Sequence, residues 1–306
     1  MKFDLSVVDA VCEHVVGRRA EIEVVVAALA AGRHILLEGP PGTGKSTLLR
    51  ALAATAELPF VFVEGNAELT PARLVGQFDP ARVLTDGYSP DVFIDGPLTE
   101  AVRDGALLYV EELNRVPEET LNLLITAMSE REVHIPRLGR IPAAEGFRLV
   151  AAMNPFDAVG TARISAAVYD RMCRVAMGYQ SHDEETTVAA RESGSAAGAL
   201  TGRIVELVRL TRDHPEIRIG SSIRGGIDTL LIAEQLSAIR DNASPQTMLD
   251  AALAALSGRI RVHEGTGRTA EEIITELFRM VFSNDLDEGD SDASGKDSTP
   301  AGVIAG

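Results

Sequence analysis

Nine residues, GPPGTGKST at positions 39–47, decide how this sequence is interpreted. They fit the pattern G-x-x-x-x-G-K-[ST], and they lie between a short apolar run, HILLEG (34–39), and a segment of helical composition that begins near Lys45. A strand, a glycine-rich turn and a helix in this order are the context in which the pattern binds phosphate. Glycines let backbone N–H groups converge on phosphate oxygens, and the helix N-terminus adds partial positive charge. The stretch therefore predicts a nucleotide site.

The residues of this loop have separable predicted roles. Lys45 is placed to reach the β- and γ-phosphates, and the Ser46 hydroxyl is placed to bind Mg²⁺. The other predicted nucleotide contacts are Gly39, Pro40, Pro41, Gly42, Thr43, Gly44 and Thr47. The alternative is a Gly/Pro-rich turn before a surface helix, which the strand–loop–helix context disfavours.

A second apolar run ends in two adjacent acids, Glu111 and Glu112, within ALLYVEELNR (106–115). The strand before Glu111 is expected to lie beside the strand that leads into the phosphate loop, so that both end at the same crevice. Glu111 is predicted to hold Mg²⁺ through water, and Glu112 to orient or deprotonate the attacking water. Two exposed strand-end carboxylates are the alternative. Asp is the usual residue at the position of Glu111, and the extra methylene, about 1.5 Å, predicts retained but slow hydrolysis.

The composition narrows the class of protein. Of the 306 residues, 45% are hydrophobic and 24% are charged, as in an ordinary globular protein. The net charge of −16 argues against a general nucleic-acid-binding surface, which would be basic. Only Cys12 and Cys173 occur, so a reducing compartment is expected and a disulfide framework is not. No signal-peptide pattern and no membrane-length apolar run is present, and the chain is predicted to be soluble, cytoplasmic and not inserted in a membrane.

Apolar runs that alternate with helical segments predict a parallel five-stranded sheet covered by helices on both faces. The predicted strands are 34–39, 60–65, 106–112, 147–154 and 174–179. After Gln180 only helical patterns remain. The predicted domains are an α/β nucleotide-binding domain (1–181), a small all-α domain (182–283) and a disordered acidic tail (284–306).

Four blocks of the chain resemble the MoxR family of AAA+ ATPases, a branch of the P-loop NTPases. Residues 36–53 are similar to that family's Walker A segment, and residues 93–133 to its Walker B region. Residues 151–179 resemble its sensor 1 and arginine-finger segment, and GSSIRGGIDTLLIA (220–233) resembles its sensor 2 helix. The resemblance implies that the nucleotide is ATP, with Mg²⁺ as its metal, and that the all-α domain is the lid of the AAA+ core.

The resemblance also implies roles for three residues outside the loop. Asn154 matches sensor 1, which aligns the attacking water with Glu112. Arg171 matches the arginine finger, which reaches the γ-phosphate held by a neighbouring subunit. Arg224 matches sensor 2, which contacts the nucleotide from the lid.

Each of these three residues has a structural alternative. Asn154 can cap a strand end, and Arg171 can pair with Asp170. Arg163 and Arg174 are near enough in sequence to be mistaken for the finger. The segment RISAAVYDR (163–171) also lacks the Pro-Glu-Ala sequence that usually precedes the finger in the family.

By resemblance, the chain is expected to form a homo-oligomeric ring of six subunits that remodels or activates a protein client. A partner with a von Willebrand factor A (VWA) domain is expected, and metalloenzyme maturation is one activity known among relatives. The elements expected to touch the client are an insert at about 77–97 and a hairpin at about 133–142. The alternatives are a nucleic-acid motor, which the acidic balance disfavours, and a nucleotide-gated scaffold with little hydrolysis.

Overall fold

The computed structural model describes residues 4–155 and 164–291, the last eight of them as backbone only. The chain divides into two compact units, Met1–Tyr179 and Gln180–Gly306. This division lies two residues before the boundary predicted from the sequence, which followed residue 181. Within the described residues, no helix is both long enough and apolar enough to cross a membrane.

The first unit is an α/β structure. Its strands are β1 (His34–Glu38), β2 (Phe60–Glu64), β3 (Gly76–Phe78), β4 (Phe93–Asp95), β5 (Leu107–Glu111), β6 (Glu132–Ile135), β7 (Gly139–Pro142), β8 (Arg148–Met153) and β9 (Met172–Ala176). Its helices are α1 (Leu5–His14), α2 (Arg19–Ala30), α3 (Lys45–Thr55), α4 (Pro71–Val75), α5 (Pro80–Asp86), α6 (Pro97–Asp104), α7 (Glu118–Glu130) and α8 (Ala166–Arg171).

Five strands form one parallel sheet in the order β2-β5-β8-β1-β9, which confirms the predicted fold. One expectation about this sheet is wrong, because β8 lies between β5 and β1 and these two strands are not direct neighbours. Nearly all of β8 is buried, as is all of β1, and a continuous apolar run suits a strand in the middle of a sheet covered on both faces. The carboxyl ends of β5, β8 and β1 therefore lie in one row.

Helices cover both faces of the sheet because side chains of a strand alternate between the faces. Leu107 and Tyr109 of β5 pack with the apolar side chains of α1, α2 and α3. Leu108 and Val110 pack on the opposite face with those of α6 and α7. The sequence prediction had assigned neither α1 nor α6. Helix α1 begins at a cap in which Asp4 accepts a hydrogen bond from the Ser6 backbone N–H.

The predicted insert and hairpin each form a small antiparallel pair of strands. In the insert, β3 pairs with β4, and α5 lies between them in sequence. In the hairpin, β6 pairs with β7, and the turn has positive φ at Arg137 (70°) and Gly139 (94°). The guanidinium of Arg137 lies 3.8 Å from the centre of the Tyr88 ring, which joins the hairpin to the insert.

The second unit is helical, as predicted. Its helices are α9 (His182–Ser193), α10 (Ala199–Asp213), α11 (Ile223–Arg240), α12 (Pro245–Leu256) and α13 (Ala270–Ser291). A short two-stranded ladder of β10 (Ile217–Ile219) and β11 (Arg261–Val262) was not predicted.

The predicted tail begins too early. Helix α13 continues to Ser291, beyond the predicted boundary at residue 283, with a break in helical geometry at Phe282. An established helix gains one backbone hydrogen bond for each added residue, so it can extend beyond the last residue of its apolar face. Residues 292–306, the remainder of the predicted tail, lie outside the described residues.

Candidate nucleotide site

The phosphate loop joins the end of β1 to the start of α3. Glycine is needed in this loop for two different structural reasons. Gly42 (φ +76°) and Gly44 (φ +82°) adopt left-handed backbone geometry, which glycine tolerates best. Gly39 is required by close packing, because a Cβ atom there would lie 2.0 Å from the carbonyl oxygen of Met177. A Cβ atom on Gly44 would meet no other atom within 4 Å. The loop is thus anchored tightly at its start and open where it enters the helix.

The Lys45 side chain folds back over the loop. Its Nζ donates hydrogen bonds to the carbonyl oxygens of Gly39 and Pro40, both at 2.8 Å. The buried Thr43 hydroxyl also donates to the Pro40 carbonyl, at 3.0 Å. Thr43 therefore braces the loop with its side chain.

Three other predicted loop contacts differ in what they can offer a nucleotide. Pro40 and Pro41 have no backbone N–H to donate, so they shape the loop. Thr47 lies in the first turn of α3 with its side chain exposed. Backbone N–H donors in a left-handed turn followed by a helix N-terminus are a suitable cradle for phosphate oxygens.

A chain of hydrogen bonds connects α3 with the acid at the end of β5. The Ser46 hydroxyl donates to Glu111 Oε1 at 2.5 Å, and it lies 3.1 Å from the Tyr109 hydroxyl. Since each hydroxyl carries one proton, Tyr109 donates to Ser46 and Ser46 donates to Glu111. Burial, with the charge of Glu111 adding to it, raises the pKa of Tyr109 far above its usual value, so this donor keeps its proton. The structure thus places both predicted metal ligands in direct contact.

The second acid, Glu112, has strained backbone geometry. Its φ is +53°, in the left-handed region that glutamate seldom adopts. Its carboxylate pairs with Arg115 at 2.9 Å, and both side chains are partly exposed. The backbone at Gly65, just after β2, packs closely against this turn. A Cβ atom on Gly65 would lie 2.5 Å from the Glu112 carbonyl oxygen. The turn directs Glu112 away from the course of the strand.

Asn154 follows β8, the strand that separates β5 from β1. The fold therefore places it between the strand-end acids and the phosphate loop. The buried Asn114 side chain donates from Nδ2 to the Asn154 carbonyl oxygen at 3.3 Å. This contact lets Asn114 position the backbone at Asn154.

The three arginines considered for the finger have different environments. Arg171, at the end of α8, donates to the Ser129 hydroxyl at 2.5 Å, and its side chain is 35% exposed. Its contact with Asp170 is longer, at 3.7 Å. Arg174 forms an ion pair with the buried Glu38 of its own chain, at the end of β1. Arg163 lies outside the described residues.

Arg224 lies in the second unit, in the first turn of α11. It is exposed, whereas the neighbouring residues Ile223 and Gly225 are buried. The first turn of α11 therefore presents Arg224 outward from the helical unit.

Sequence reasoning missed two residues of the site. Tyr109 stands two positions before Glu111 on the same face of β5, and a lone hydroxyl in an apolar run was the available signal. Glu38, which ends the P-loop strand, had no such signal. It is buried and is held by Arg174 and by the Tyr169 hydroxyl at 3.1 Å.

The side chains present suit a nucleotide with Mg²⁺. A serine hydroxyl and a carboxylate are hard oxygen donors, and Mg²⁺ typically takes only one or two protein ligands besides phosphates and water. Among the described residues no group of three or more His, Cys, Asp or Glu side chains is arranged to hold a metal ion by itself. Ser46 and Glu111 fit a metal whose other ligands come from phosphate and water.

Comparison with known proteins places this geometry in a family. Residues 34–172 match the model of the AAA domain of the dynein-related subfamily. NorQ of Paracoccus denitrificans is 30% identical over 76% of this chain and 83% of its own length. YeaC of Bacillus subtilis, an uncharacterized protein, is 28% identical over 87% of this chain and 90% of its own length. The gas vesicle ATPase GvpN of Haloferax mediterranei is 24% identical over 82% of this chain and 76% of its own length.

A solved structure shares the fold. A candidate ATPase from Cytophaga hutchinsonii superimposes with a TM-score of 0.51 and 23% identity, covering 90% of this chain and 92% of its own. At this identity the likeness concerns the fold.

Proposed function

Because the chain belongs to the MoxR family of AAA+ ATPases, we propose that it hydrolyses ATP in a homo-oligomeric ring and uses the cycle to remodel or activate a protein client. The observation that carries the enzymatic part is the hydrogen-bond chain from Tyr109 through Ser46 to Glu111. It brings the helix that follows the phosphate loop into contact with the acid at the end of β5.

The side chains divide the work of hydrolysis. Lys45 would release the loop carbonyls to meet the β- and γ-phosphates, and Ser46 would hold Mg²⁺, with Glu111 reaching the metal through water. Bound Mg²⁺ would offset the charge that develops on the phosphate oxygens. Glu112 would orient the water that attacks the γ-phosphorus and accept its proton, and Asn154 would align that water. The bond from the γ-phosphorus to the bridging oxygen breaks, which releases ADP and phosphate.

Arg171 completes the site in a neighbouring subunit. Its partly exposed guanidinium is the one of the two described candidates that is free of a buried carboxylate partner, because Arg174 is committed to Glu38. An arginine delivered from a neighbour stabilises charge in the transition state and makes turnover depend on assembly. A six-membered ring is the assembly that we propose.

The client would contact the insert and the hairpin. Arg224 would contact the nucleotide, so that the helical unit responds to whether nucleotide is bound. The contact between Arg137 and Tyr88 joins the insert to the hairpin, so a displacement of one would be transmitted to the other. A VWA-domain protein is the partner that we propose. The cytoplasm is the location that we propose for this protein.

The deciding experiment compares Glu112→Gln with the parent protein. Loss of a general base typically lowers turnover by about 10²–10⁴-fold, while ATP binding through Lys45 should persist. Glu57→Gln is the matched control, because Glu57 is also a glutamate with positive φ (49°), and it is exposed and lies outside the site.

The same variant tests the client. Glu112→Gln loaded with ATP should capture a protein partner that the parent releases after hydrolysis. Equal hydrolysis by parent and Glu112→Gln would refute the enzymatic assignment. Recovery of nucleic acid alone, with strongly salt-dependent binding, would replace the protein client by a nucleic-acid substrate.

A further inference from the structure

The helical unit contains a buried carboxylate that the nucleotide site does not use. Glu185, in the first turns of α9, is 2% exposed. It forms ion pairs with two arginines of α10, with Arg212 at 2.8 Å and with Arg209 at 2.9 Å. A buried charge is retained at a considerable desolvation cost, so its partners indicate what it positions.

Each arginine also holds a backbone carbonyl of another segment. Arg209 Nη1 donates to the carbonyl oxygen of Gln180, the first residue of the helical unit, at 2.9 Å. Arg212 Nε donates to the carbonyl oxygen of Ser221 at 2.8 Å. One carboxylate, Glu185, therefore fixes the entrance of the chain into this unit and the segment that leads into α11.

The segment before α11 has little freedom. The Ser221 backbone N–H donates to the buried Thr211 hydroxyl at 3.0 Å, and Ser221 is itself buried. A Cβ atom on Gly220 would lie 2.6 Å from the Cα atom of Arg212, so this glycine lies flat against α10. A Cβ atom on Gly225 would lie 2.2 Å from Ser221 Oγ. The packing extends from α10 through Ser221 into the first turn of α11.

We propose that Glu185 and Arg212 are positioning residues for Arg224. The exposed Arg224 follows Ser221 by three residues, and the buried Ile223 and Gly225 on either side fix the face of α11 that it occupies. Since Arg212 holds the carbonyl that precedes this turn, the direction of the Arg224 side chain depends on the ion pair within α9 and α10. This inference rests on the proposed role of Arg224 at the nucleotide.

The test uses Arg212→Lys, which keeps the charge. A lysine ammonium is a compact point charge, and it cannot reproduce the fork that meets Glu185 and the Ser221 carbonyl together. Arg212→Lys should raise the Kd for ATP by about 3–10-fold, the size expected for one lost hydrogen bond. Arg268→Lys is the matched control, because Arg268 also bridges two groups within the same unit, here the carboxylates of Glu216 and Glu276.

A double-mutant cycle separates positioning from general stability. If Arg212 acts through Arg224, Arg212→Lys should leave the Kd unchanged in an Arg224→Ala background. Additive effects in the cycle would overturn the inference, as would an unchanged Kd in Arg212→Lys alone. Thermal unfolding of each variant checks that the helical unit is folded, and Glu185→Gln should repeat the non-additivity with Arg224→Ala. Failure of the proposed function is detected separately, as ATP hydrolysis that survives Lys45→Ala.

Discussion

The contact between Ser46 and Glu111 gives the sharpest prediction about the metal site. Replacing Glu111 by Asp shortens the side chain by about 1.5 Å. If the backbone stays in place, the 2.5 Å hydrogen bond from Ser46 Oγ to the carboxylate opens to about 4 Å, beyond hydrogen-bonding distance. The substitution that restores the usual acid of such sites should therefore weaken this one.

The magnitude follows from the kind of bond that is lost. A hydrogen bond to a charged group contributes about 1.5–3 kcal/mol, equivalent to roughly 10–150-fold in an equilibrium constant. A water that fills the gap would recover part of this contribution, so we expect about a tenfold rise in the Mg²⁺ concentration that half-activates hydrolysis. Tyr109 still donates to Ser46, but the Ser46 proton loses its acceptor and the hydroxyl is no longer held with its lone pairs toward the metal.

The assay is phosphate release at saturating ATP across a range of Mg²⁺ concentrations, together with ATP binding in the presence of a chelator. Metal-free ATP binding should be the same for the parent and for Glu111→Asp. Glu111→Gln is the control that keeps the length and an acceptor oxygen but removes the charge. If Glu111→Asp has the Mg²⁺ dependence of the parent protein, the direct contact has no role in holding the metal. If Glu111→Ala also behaves as the parent does, the metal assignment of this residue is wrong.

Three further predictions concern the α/β unit. Asn114→Ala removes the donor to the Asn154 carbonyl and should lower kcat several-fold, with about 1 kcal/mol lost from stability and little change in the KM for ATP; an altered KM with an unchanged kcat would contradict it. Gly39→Ala would place a methyl group 2.0 Å from the Met177 carbonyl oxygen and should lower stability by about 1–3 kcal/mol, measured by thermal unfolding. Burial, with nearby arginines adding to it, lowers the pKa of His34 to about 4, so the unfolded chain binds this proton at a higher pH than the native one. The stability contributed by neutral His34 is complete above about pH 6.5 and is lost as the pH falls toward about 4, by up to roughly 3 kcal/mol; urea unfolding should show this slope, and His34→Asn, which keeps an acceptor for the Leu149 N–H, should reduce it.

The nucleotide site could be predicted from local sequence because its chemistry is local. The loop from Gly39 to Ser46 needs consecutive backbone N–H groups, glycines at left-handed positions and a helix start, and these requirements appear as a contiguous pattern. The five strands were equally visible, since a strand that is buried on both faces is a continuous apolar run. Glu111 and Glu112 could be chosen as candidates because each ends or follows such a run.

The tertiary structure decided which of these pieces touch. Strand order depends on packing over both faces of the sheet and not on order in the chain, so the position of β8 between β5 and β1 was out of reach of local pattern. For the same reason the contact of Tyr109 with Ser46, across 63 residues, left only a weak trace in the sequence. Glu185 looked like any acid in the first turn of a helix, and only the folded unit shows that it is buried between two arginines. Neighbouring residues determine local chemistry, whereas the packing of the whole core determines the partners of a buried charge or a strand.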